Sequence, residues 1–104
     1  MAEQNVATEE TRIVQDDDLL DRAIVGYFKW NKHATLHAPS RTHSYVAEHK
    51  GTVYVIVCSR DHVLAIYKLR NSGQLRAVHR PPLSLLKRFA STEELKQWNV
   101  IKSR

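Results

Sequence analysis

The stretch from Thr42 to His79 constrains the fold more than any other part of the chain. It holds four runs rich in β-branched and aromatic residues, separated by three short polar turns. That is the pattern of an antiparallel meander. Lys50-Gly51 makes a two-residue turn that pairs His49 with Thr52, Ala47 with Tyr54 and Tyr45 with Ile56. Either Arg60-Asp61 or Asp61-His62 closes the second hairpin. Those two registers differ by two residues and give the same faces, whereas a three-residue loop would exchange them. Asn71-Ser72-Gly73 closes the third hairpin, with Gly73 supplying positive φ, and pairs Leu69 with Leu75 and Tyr67 with Ala77.

These registers sort the side chains onto two unlike faces. One is aliphatic (Val46, Val53, Val55, Val57, Leu64, Ile66, Val78) and turns polar at Glu48, Lys68, Arg70, Gln74 and Arg76. The other carries Tyr45, Ala47, Tyr54, Ile56, Cys58, Val63, Ala65, Tyr67, Leu69, Leu75 and Ala77, with His43 and His79 at its margin. The aliphatic face is the one that helices are expected to cover.

The flanks supply those helices. Residues 1–15 are polar and aperiodic and read as an acidic, flexible arm ahead of a single small domain, 16–104. Asp16, Asp17 and Asp18 suit the N-cap and first turn of a helix over about 19–32. At 100° per residue, Leu19, Leu20, Ala23, Ile24, Tyr27, Phe28 and Trp30 share one half of that helix. Gly26 weakens it by about 1 kcal/mol relative to Ala, and a strand over Ile24–Trp30 is the alternative. His33 to Arg41, containing Pro39, reads as a loop. Beyond the meander, Pro81-Pro82 ends strand pairing and opens a short helix over about 83–89. Ser91 and Glu94 form a capping box for a last helix over about 92–101, with Leu95, Trp98 and Ile101 on one side. The fold class is therefore α+β: a three- or four-stranded antiparallel meander, an N-terminal helix and C-terminal helices.

The net charge of +5 conceals a division. Residues 1–21 hold seven acids against Arg12, whereas residues 22–104 hold fifteen Lys and Arg against Glu48, Asp61, Glu93 and Glu94. A basic domain of this kind attracts polyanions, either nucleic acid or an acidic protein surface. Folded back over that surface, the acidic arm would compete with phosphate. The lone Cys58 excludes an internal disulfide and fits a reducing compartment, so the cytoplasm is expected. The N-terminus lacks the features of a secretory signal, and no apolar run approaches the ~20 residues of a membrane span, so no membrane partner is expected.

Three constellations are candidates for function. Lys68, Arg70 and Arg76 cluster at one end of the last hairpin, followed by Arg80, Lys87 and Arg88. Such cations neutralise phosphates with salt-sensitive, sequence-independent affinity. Tyr45, Tyr54 and Tyr67 share a face and suit a protein interface, including a homodimer, or a stacking platform for unpaired bases. Cys58 lies opposite His43, but nothing in the sequence supplies an orienting group or oxyanion site, so the thiol reads as a small buried hydrophobe. His33 and His37 have i, i+4 spacing but fall beside Pro39, with no cysteine or carboxylate cluster, so no metal site is assigned.

No phosphate-cradling, dinucleotide-binding, zinc-protease or nucleophile-elbow motif is present, and three glycines leave little room for one. No cofactor and no enzymatic activity are expected. The order helix, antiparallel strands, helix is similar in layout to that of double-stranded-RNA-binding domains, with Lys87 and Arg88 echoing that family's basic cluster. The extra strand Gln74–His79 departs from it, and the analogy transfers no residue roles. The expected function is a non-enzymatic basic binding module, nucleic-acid-binding or regulatory. The alternative is an adaptor or inhibitor that associates through the tyrosine face.

Overall fold

Asp16 starts the N-terminal helix as its carboxylates were expected to: Oδ1 accepts the Leu19 amide at 3.1 Å and its carbonyl accepts that of Leu20 at 3.2 Å. In the computed structural model, which describes residues 11–30, 38–90 and 93–95, this helix is α1, Asp17–Trp30. The strands are β1 (Thr11–Val14), β2 (Tyr45–His49), β3 (Thr52–Cys58), β4 (Val63–Leu69) and β5 (Leu75–Ala77), and a second helix, α2, spans Leu83–Phe89. Glu93–Leu95 are helical. Residues 1–10, the His33/His37 pair, Ser91, Trp98 and Ile101 lie outside the described residues.

The sheet is antiparallel in the order β1-β2-β3-β4-β5, five strands where three or four were expected. The addition is β1, from the end of the presumed arm. Thr11 pairs with His49 and Val14 with Val46, so the segment that reads as aperiodic completes an edge. Four residues are too few to show an alternation on their own.

The first and third hairpins keep the expected registers. In the second, Arg60-Asp61 forms the turn, with the Ser59 amide donating to the His62 carbonyl at 2.8 Å. A β-bulge then intervenes: Cys58 pairs with Val63 but Val57 with Ala65, leaving Leu64 as the extra residue. One extra residue has the effect of a three-residue loop, so every side chain after it changes face. Tyr67 consequently opposes Val55, not Tyr54, and Tyr54 opposes Lys68.

The sheet is covered on both sides. α1 lays Leu19, Leu20, Ala23 and Tyr27 on Val46, Val55, Val57 and Tyr67, with Leu69 and Leu75 at the margin. On the opposite face Leu85 and Leu86 of α2 pack on Ala47, Tyr54, Ile56, Cys58, Val63 and Ile66. The expectation that helices gather mainly on one face is corrected, because the bulge leaves each face with enough aliphatic surface to need a cover. Along α1 the burial stripe is narrower than the periodicity suggests, with Phe28 and Trp30 exposed and Gly26 buried. The cause is Trp30, whose ring folds back across the helix. A Cβ at Gly26 would lie 2.9 Å from Trp30 Cζ3.

Candidate functional site

The bulge decides where the hairpin cations stand. Lys68 pairs with Arg76 across β4 and β5, and both share the α2 face with Tyr54 and Ile66. Arg70 follows Lys68 by two residues, about 6.7 Å further along the strand direction. Arg80 lies in the connection to α2, and Lys87 and Arg88 occupy the last turn of that helix. All six side chains are exposed, and none is held in an ion pair among the described residues. The structure therefore brings Lys68, Arg70 and Arg76 together at one sheet end, on the side that also carries Arg80, Lys87 and Arg88.

The described carboxylates lie away from Lys68, Arg70 and Arg76. Asp17 and Asp21 of α1 hold Arg41 at 3.3 and 2.6 Å. Glu48 pairs with Arg12 on the α1 face. Asp61 is in the turn at the far end of the sheet, and Glu94 is buried beside the start of β4. Among the described residues, no Asp or Glu occupies α2 or a sheet position on its face. Like charges directly opposite on neighbouring strands repel, so Lys68 against Arg76 favours an anion between them.

Beyond the last β3–β4 pair, Tyr54 with Lys68, the two turns form the lips of an open groove of about 560 Å³. Thr52, Lys68, Arg70 and Ser72 line it. Lys50 and Gly51, both at positive φ (51° and 82°), shape one lip. Lysine is an unusual occupant of that backbone region, which asparagine and glycine adopt at less cost.

The three tyrosines are not brought together. Tyr67 is buried beneath α1, its ring centroid 5.4 Å from that of Trp30, and burial with the nearby Tyr27 pushes its hydroxyl up to about 12. Tyr54 is buried edge-on to His49. Tyr45 remains 40% exposed and lies against Phe89, with centroids 5.0 Å apart.

Cys58 is buried, and desolvation followed by the Glu94 charge pushes its thiol up to about 12, far from a nucleophile's range. His43 lines the same small pocket of about 130 Å³, but its Nδ1 lies 2.8 Å from Ser40 Oγ. Among the described residues, no cluster of three metal-ligating side chains occurs.

His49 is a structural feature that residue patterns do not announce. Its buried ring lies between Thr11 Oγ1, 2.6 Å from Nδ1, and Ser84 Oγ, 3.1 Å from Nε2, tying β1, β2 and α2 together. One ring nitrogen donates and the other accepts in the neutral imidazole, and rotatable hydroxyls serve either role. The third member is a hydroxyl where a catalytic triad has a carboxylate, so the arrangement is not that of a triad. The only available signal was its register position before the Lys50-Gly51 turn.

Comparison of the chain with protein-family models, with curated proteins and with solved structures finds no match in any of the three. No helix among the described residues is long and apolar enough to cross a membrane.

Proposed function

We propose that the protein is a non-enzymatic nucleic-acid-binding module whose contact surface is the α2 side of the sheet. The observation that carries this reading is the distribution of charge: six exposed cations, unpaired among the described residues, with no described Asp or Glu in α2 or at a sheet position on its face, and with Asp61 and Glu94 at the sheet end away from Lys68, Arg70 and Arg76. Lys68, Arg70 and Arg76 engage phosphates from a rigid sheet, while Arg80, Lys87 and Arg88 extend the contact along the connection and α2. A lone buried cysteine fits residence in the cytoplasm.

The test is fluorescence anisotropy with generic single- and double-stranded DNA and RNA across a salt series. Binding at low salt should weaken linearly in log–log form, with a slope of about −0.9 for each phosphate neutralised. The triple variant Lys68→Gln/Arg70→Gln/Arg76→Gln should reduce that slope by about 3. No binding at low salt, or an unchanged slope in the variant, would sink the reading.

The alternative, an interface through Tyr45, Tyr54 and Tyr67, draws less support, since only Tyr45 is exposed and Tyr67 lies on the opposite face. An acidic protein surface would use the same cations, and polyglutamate competing as well as DNA would favour it.

A further inference from the structure

β5 is an edge strand, and its unused hydrogen-bonding groups point outward in a defined pattern. The Arg70 amide donates to the Gln74 carbonyl at 2.9 Å, and the Val78 amide to the Ile66 carbonyl at 2.8 Å. Gln74, Arg76 and Val78 therefore turn their main-chain groups toward β4, and alternation leaves the N–H and C=O groups of Leu75 and Ala77 on the open side. Among the described residues, nothing pairs with that edge.

Beside the edge, on the α1 face, lies a shallow groove of about 660 Å³ in which apolar Val25, Trp30 and Leu75 stand among polar Asp21, Arg22 and Lys29. Val25 is 64% and Trp30 55% exposed, so this apolar surface is open although the helix beneath it is packed. On the opposite face the edge presents Arg76, with Lys68 next to it and, among the described residues, no Asp or Glu at a sheet position on that face.

From these placements we propose that β5 receives an extended acidic–apolar peptide segment of another protein as a sixth strand. Main-chain bonds form to Leu75 and Ala77. Residues of the added strand alternate between the two faces. Those on the α1 side enter the groove against Val25, Trp30 and Leu75 and are apolar. The residue between them stands beside Arg76 and is acidic, because opposite charges on adjacent strands attract and like charges repel. The same rule argues against a second copy of this chain as the occupant. Pairing two β5 edges about a two-fold axis at their middle residue sets Arg76 against its own copy.

The experiment titrates the full chain, labelled with ¹⁵N, with a capped seven-residue peptide of alternating glutamate and isoleucine. Its comparators are the same peptide N-methylated on alternate amides and a lysine-for-glutamate version. The expected result is binding in the range of about 1 mM or tighter, with the Leu75 and Ala77 amides shifted and protected from exchange. N-methylation and the lysine version should each weaken binding at least about tenfold, a loss of roughly 1.4 kcal/mol. Ala77→Pro removes an outward N–H that no described strand uses and should abolish binding. Should that variant fail to fold, Arg76→Glu should reverse the preference toward the lysine peptide. Absence of binding, shifts confined to β1, indifference to N-methylation, or concentration-dependent self-association through β5 would overturn the proposal. Each outcome is independent of whether the chain binds nucleic acid.

Discussion

The main-chain amide of Val63 donates a hydrogen bond to the carboxylate of Glu94 across 2.5 Å, joining the last described helical residues to the first residue of β4. His62 Nδ1 lies 3.6 Å from the same oxygen. Val63 adjoins the bulge and is buried, so Glu94 accepts from an amide that would otherwise be left without a partner beside an irregular stretch of ladder. Glu94→Ala should lower stability by about 1–3 kcal/mol in urea denaturation, and Glu94→Gln, which keeps an acceptor oxygen, by less. Equal stability of the wild type and the Ala variant would show that the contact contributes nothing.

The reversal of faces at Leu64 makes two tyrosines unequal. Tyr67→Ala empties a fully buried site beneath α1 and should cost about 3–5 kcal/mol, as large aromatic truncations in cores do. Tyr45→Ala, at a partly exposed ring, should cost less than about 1.5 kcal/mol. Thermal and urea unfolding of the two variants checks this. Similar losses would mean that the register after the bulge is wrong.

Stability should fall in alkali. Cys58 and Tyr67 keep their protons in the folded state up to about 12, against ordinary values of 9.0 and 10.0. Between those limits the unfolded chain has fewer protons bound than the native one, so raising the pH favours unfolding. The contribution is complete below about pH 9 and is lost as pH rises toward about 12. Urea midpoints measured at intervals across that window should decline, and Tyr67→Phe should make the decline shallower. A midpoint constant to about pH 11.5 would contradict the burial of both groups.

Gly26→Ala sets two effects against each other. Helix propensity gains about 1 kcal/mol, while the new methyl carbon meets Trp30 Cζ3 at 2.9 Å and moves the ring off Tyr67. Trp30 is more than half exposed and can swing outward, so net stability should change by less than about 1 kcal/mol. The near-ultraviolet circular dichroism and the tryptophan emission should nonetheless change. An unchanged spectrum would mean that the two rings do not depend on the glycine.

The turns were the most legible part of the chain. Lys50-Gly51 and Asn71-Ser72-Gly73 carry their geometry in residue type, and both registers follow from them. The Asp16 cap was readable for the same reason: short polar side chains bond to nearby backbone. The bulge was not readable, because nothing in Val63-Leu64-Ala65 distinguishes a paired from an unpaired residue in a run apolar throughout. Its consequence spread to every later side chain, which is how Tyr67 came to be grouped with Tyr45 and Tyr54. The cluster Lys68/Arg70/Arg76 survived that error, since residues spaced by two stay together whichever face they occupy. His49 stayed hidden because its partners, Thr11 and Ser84, are distant in sequence.

Leu64 also sets a limit on how this chain tolerates length change. Because Leu64 is the extra residue, its loss would leave Cys58 opposite Val63 and Val57 opposite Ala65 in a regular ladder, with Tyr67 still facing α1. One further residue, unless a second bulge or a longer loop took it up, would roll the β4–β5 ribbon about its own axis and turn Lys68 and Arg76 toward α1. The segment from Ser59 to Ala65 is thus a counted length with one residue to spare, and substitutions or the loss of Leu64 should be accepted far more readily than an insertion.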